Sequence, residues 1–187
     1  MNRSESIGWR YVFSDRRGVA AIEFALTLPA MIALAAGIAE FSSTMQTFKK
    51  NKLAAYTVTD LVSRCRTVNA NDITDDFVAA ALIMSGTKTL PTTISARVGS
   101  VKFATTTGTA SIDWSKGIGN APPSEATILS KATGKATAGN SLIVTVIDYS
   151  YTPVGQLVPA ITMQDIAFAS PRLVPNVTLT GACDWSL

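Results

Sequence analysis

From Gly18 to Ala39 the chain passes through 22 residues whose only ionisable side chain is that of Glu23. As a helix this run would be about 33 Å long, enough to cross the hydrocarbon core of a bilayer. A helix that is apolar all round has no place on the surface of a water-soluble domain, so the fate of this run constrains everything after it. The composition agrees. Charged residues make up 16% of the 187 residues, against a usual share of about 25%, and much of the apolar excess lies in this one stretch.

Three readings of the run stand open on these residues: a cleaved secretory signal, a membrane anchor and a buried core helix. A secretory signal needs an apolar stretch of roughly 7 to 15 residues followed by a small-residue cleavage site. Ala25 to Ala36 has the length and Ala33-Leu34-Ala35 imitates the site, yet the helical pattern continues into Glu40 and Phe41 with no loop-like break. A plain anchor tolerates a carboxylate near its end, whereas one at mid-bilayer costs about 2.5 to 3.5 kcal/mol and usually has a function. Glu23 lies five residues inside the run, so depth alone does not decide its role. Arg3, Arg10, Arg16 and Arg17 upstream, against Glu5 and Asp15, form a basic flank of the kind kept in the cytoplasm, but Lys49, Lys50 and Lys52 follow on the other side. Charge bias therefore leaves the orientation open.

Several chemistries are removed by what the chain lacks. It has no histidine, which excludes Ser-His-Asp and Cys-His catalysis, histidine general bases and His-containing zinc sites. Its Lys and Arg residues are spread along the sequence and the net charge is +3, which gives no footprint for nucleic acid. No catalytic set, metal site or cofactor motif emerges. The two cysteines, Cys65 and Cys183, lack a CxxC spacing and are too few for a metal site. In an exported chain they most simply form one disulfide, the alternative being two separate buried thiols.

The stretch RRGVAAIEFALTLPAMIALAAGIAEF resembles the amino-terminal signature of the TadE-like (TadE/TadF) pseudopilins of the tight-adherence, or Flp-type, pilus system, a branch of the type IV pilin superfamily. The resemblance rests on Arg16-Arg17, Gly18, the small and apolar Val19 to Ile22, Glu23-Phe24, Leu28-Pro29 and the Glu40-Phe41 exit. It covers about 26 residues closely. Major Flp-type pilins usually carry Tyr where Phe24 stands, so the hydroxyl is missing here.

The resemblance implies cleavage between Gly18 and Val19 by a prepilin peptidase on the cytoplasmic face of a bacterial inner membrane. That fixes a single-pass orientation, with the leader in the cytoplasm and the head in the periplasm. It implies as partners the peptidase, other pseudopilins, the major pilin, the inner-membrane assembly platform and membrane lipid, with a place in the surface pilus also open. It further implies that Glu23 pairs with the new Val19 ammonium of a neighbouring subunit, as opposite charges attract strongly where the dielectric is low. Pro29 removes one helical hydrogen bond and clashes with the Ala25 carbonyl, so a bend or a locally melted turn is expected there.

The expected architecture is α+β and pilin-like: a long amino-terminal helix, transmembrane and then amphipathic, packed on a small antiparallel sheet. The segments are a leader at 1–18, a long helix at 19–66, and a periplasmic head at 67–187. Ala54, Val58, Leu61, Cys65 and Val68 recur at intervals of four and three, which places them on one helical face. Asn71 to Asp76 reads as the acidic start of a second helix closed by Gly86, in preference to a calcium loop, whose spacing and central glycine it lacks. Ile94 to Val98, Ile112 to Trp114, Ser141 to Val154 and the ITMQDIAFASPRLVP stretch read as strands, with one helical turn near Ala126 to Lys131 in an otherwise irregular excursion. If Cys65 and Cys183 bond, they close a loop of more than a hundred residues, worth about 2 to 5 kcal/mol.

Two function classes fit these residues. One is a minor, non-catalytic pseudopilin, favoured over a major pilin because the chain continues for some 120 residues beyond the long helix. The other is a membrane-anchored periplasmic binding or adhesion module that is never cleaved. An enzyme has no motif to support it.

Overall fold

The computed structural model describes residues 17–153 and 159–184. Of the expected leader, only Arg17 and Gly18 fall within them. The chain divides into two compact units, Met1–Ser42 and Ser43–Leu187. Helix α1, Arg17–Ser63, supplies all the described residues of the first unit and enters the second. In the first unit every residue from Gly18 to Ala39 is exposed.

The second unit is a four-stranded antiparallel sheet with helices on both faces. Its elements after α1 are α2 (Ala70–Ser85), β1 (Ile94–Phe103), β2 (Ala110–Ile118), α3 (Glu125–Ala132), β3 (Ser141–Tyr151) and β4 (Ile161–Ala169), and the strand order is β2-β1-β3-β4. The fold is thus α+β with a long amino-terminal helix, as the sequence implies. Period-two alternation sorts the strand residues. Ile94, Ala96, Val98, Ile143, Ile147 and Ala167 pack with α1 and α2, while Val101, Phe103, Leu142, Val144 and Val146 pack with Ile128 and Ala132 of α3. Covered on both faces, β3 is buried without interruption from Ser141 to Ile147, which explains its near-continuous apolar text.

Local chemistry sets the boundaries. Asn69 caps α2 by accepting from the backbone N–H groups of Asn71 and Asp72, and Asp72 returns the bond to the Asn69 N–H at 2.9 Å. This reciprocal capping box satisfies two otherwise orphan donors. Gly86 closes the helix in the left-handed conformation. The expected single helical turn is an eight-residue helix, α3, capped by Ser124. The partner of β1 changes from Trp114 to Ile112 between Ser100 and Val101, so Asp113 is the extra residue of a bulge in β2. Just after β2, Gly119 has φ +90°, and a Cβ there would lie 2.4 Å from the Ile94 carbonyl oxygen.

Three sequence expectations shift. The buried stripe of α1 runs through Asn51, Ala54, Ala55, Val58 and Val62. Leu61, expected in it, is only half-buried at its edge, because neighbouring Val62 holds the position facing the sheet. The long helix also ends at Ser63, not Arg66, since the backbone beyond it turns to the carboxy-terminal tail. Arg66 N–H donates to the Asp184 carbonyl at 2.8 Å and Val68 N–H to that of Thr178 at 2.9 Å. Likewise the last strand stops at Ala169. The chain then leaves the sheet and crosses to the end of α1, where Arg172 N–H donates to the Ser63 carbonyl and its guanidinium pairs with Asp60.

Candidate functional site

The residues singled out from the sequence fall at two places. Gly18, Val19, Glu23, Phe24 and Pro29 all lie in the first part of α1. Among the described residues, the helix's own backbone and the chain neighbours aside, a Cβ at Gly18 would meet no atom within 4 Å. Glu23 comes four residues after Val19 and so shares its helical face. The Glu23 side chain is exposed and makes no hydrogen bond or ion pair among the described residues. Phe24 is likewise exposed.

α1 remains helical through Pro29, so no melted turn is present there, although proline still deprives the Ala25 carbonyl of its usual donor. The Thr27 hydroxyl is satisfied within the helix, donating to the Phe24 carbonyl at 3.2 Å. That is how a hydroxyl is hidden where no water is at hand. The apolar side chains around it have no such concealment: Leu26 is 74% exposed, and Ile22, Met31, Ile32, Leu34 and Ile38 are exposed with it. By length and apolar composition this helix is able to cross a membrane.

The second place is the junction of α1, α2 and the tail. Cys65 and Cys183 are joined in a disulfide with their Cα atoms 5.1 Å apart, closing a sequence separation of 118. Sequence reasoning pairs these cysteines but misses what surrounds them. Thr67 donates to the Ala182 carbonyl at 2.7 Å, Cys183 N–H donates to Asp72 at 2.7 Å, and Thr67 and Thr178 form a parallel bridge. Asp72 thus serves both the α2 cap and the tail. Asp76 lines a small cavity with Leu61, Cys65, Asp75 and Cys183. Burial, then the charges of Asp72 and Asp75, push its carboxyl up to about 7. Among the described residues no group of three or more His, Cys, Asp or Glu is placed to hold a metal ion.

Farther along the tail, Trp114 Nε1 donates to the buried Val177 carbonyl at 2.7 Å, and Asn176 joins Ser100 to Asp113. Burial alone would raise the Asp113 carboxyl, but hydrogen bonds from Lys102 and Asn176 and the Lys102 charge bring it below its ordinary value. Only the position of Cys183 in the sequence hints at this clasp; the hydroxyl and amide contacts leave no pattern.

These features define a protein with an exposed apolar amino-terminal helix, a candidate membrane anchor, joined to an α+β unit fastened by a disulfide. A family model described as TadE-like protein matches residues 18–49. That segment is therefore similar to TadE-like proteins, a likeness that supports a Tad pilus-associated protein. The matched residues lie within α1 and include Gly18, Val19, Glu23, Phe24 and Pro29. No curated protein and no solved structure matches the chain.

Proposed function

We propose that this protein is a minor pseudopilin of a Flp/Tad-type pilus, without catalysis of its own, processed between Gly18 and Val19 by a prepilin peptidase. The observation that carries the reading is the coincidence of the TadE-like match with a helix whose residues Gly18 to Ala39 are all exposed. Hydrolysis of the Gly18–Val19 amide leaves a carboxylate on the leader and an ammonium on Val19. Glu23, on the same helical face and without a partner among the described residues, neutralises the Val19 ammonium of a neighbouring subunit. Breaking such a low-dielectric pair strands a charge, so it fixes which register of helices is allowed.

The protein is thereby held in a bacterial inner membrane with its amino terminus in the cytoplasm and its head in the periplasm. Its partners are the peptidase, other pseudopilins, the major pilin, the assembly platform and membrane lipid. Glu23→Ala tests the pairing. The variant is expected to be cleaved normally while its co-purification with other pilus subunits falls about tenfold or more. Wild-type incorporation of the variant would overturn the charge-pairing account.

A further inference from the structure

On the part of α1 within the second unit, one side is deeply buried, with Asn51, Ala54 and Val58 at 0% exposure. The other side is mixed. Met45, Phe48, Leu53 and Tyr56 are exposed large apolar side chains, with Leu53 at 56%. Lys49, Lys50 and Lys52 are exposed among them. Positions 45, 49, 52, 53 and 56 have helical spacing and share one face. The Lys52 ammonium lies 5.9 Å from the centre of the Tyr56 ring, within range of a cation–π contact. Among the described residues none of the three lysines forms an ion pair. Asp165, which feels the Lys52 charge, is engaged by Asn51.

We propose that this lysine and aromatic face is a docking surface for the anionic phospholipid headgroups of the membrane that α1 enters. The proposal rests on the reading of Gly18 to Ala39 as a bilayer span. A merely solvated helix face needs no exposed Met, Phe, Leu and Tyr beside its lysines, whereas lysines with aromatic neighbours are a mixture found flanking membrane spans. Clustered lysines just past a span are the electrostatic complement of an anionic leaflet. Position agrees as well. Lys49, Lys50 and Lys52 follow Ala39 by 10, 11 and 13 residues of sequence, within the stretch counted as flanking a span.

The test places the full chain, one copy per disc, in lipid nanodiscs of phosphatidylcholine alone or with about 30% phosphatidylglycerol. Amine labelling is then read residue by residue by mass spectrometry, with the exposed Lys88 and Lys131 as internal references. Labelling of Lys49 and Lys52 relative to the references is expected to fall about threefold or more in the anionic discs and to recover at about 0.5 M salt. Equal labelling in the two lipids overturns the proposal. Protection that tracks the number of copies per disc and not lipid charge also overturns it, assigning the face to a second copy. A chain that does not enter the discs removes the membrane reading together with this proposal, whereas entry without protection removes the lysine surface alone.

Discussion

The amide Nδ2 of Asn51, fully buried on α1, donates to Oδ2 of Asp165 on β4 at 3.0 Å and to the Met163 carbonyl at 3.3 Å. These bonds join residues more than a hundred positions apart, at the layer where α1 meets the sheet. Apolar surfaces tolerate sliding by a turn, whereas a buried amide with two named acceptors does not. Asn51 therefore sets the axial register of α1 on the sheet. Burial raises the Asp165 carboxyl, despite the opposing hydrogen bond from Asn51 and the charge of Lys52.

Replacing Asn51 by Ala leaves the Met163 carbonyl and the Asp165 carboxyl without this donor. The expected cost is about 1 to 3 kcal/mol, read as a lowered unfolding midpoint in detergent solution. Asn51→Asp is expected to cost more, since it sets a second carboxyl against Asp165. A midpoint unchanged in both variants would contradict the register role.

The Cys65–Cys183 bond holds the tail against the start of α2. Cys65→Ser combined with Cys183→Ser is expected to lower stability by about 2 to 5 kcal/mol. The oxidised protein should migrate faster than the reduced one in a denaturing gel. Two reactive thiols in the oxidised, exported protein would contradict this.

Asp76 carries a pH dependence whose sign can be worked out. Its carboxyl is raised to about 7 in the folded protein from an ordinary 3.8, so between these values the folded state binds the extra proton. Stability attributable to this group therefore declines as pH rises from about 4 to 7 and is level above that. Asp76→Asn is expected to be more stable than the parent above pH 7, by about 1 kcal/mol once the carboxyl's remaining hydration is allowed for. The two proteins should converge near pH 4. Parallel stability curves across this range would show that Asp76 titrates normally.

How much of the fold is legible in the sequence depends on what the physics requires of each residue. The apolar run, the disulfide partners, the capped second helix and the four strands are legible because each leaves a periodic or compositional mark. The exact buried face of α1 is not. Leu61 and Val62 are adjacent and similarly apolar, and only packing against the sheet chooses between them. The tail reads as strand beyond Ala169 because Leu173 and Val174 continue the apolar text, while the contacts that draw it away, through Arg172, Asn176 and Trp114, are side-chain partnerships set by the fold. The same holds for Asn51 and Asp165: a lone Asn in a helix and a lone Asp in a strand carry no sign of each other.

The most direct test of the pseudopilin account is the amino-terminal residue of the membrane-extracted protein, read by mass spectrometry of its terminal peptide from cells with active prepilin peptidase. The account requires Val19. An intact Met1 would contradict it and leave an anchored, uncleaved periplasmic module in its place.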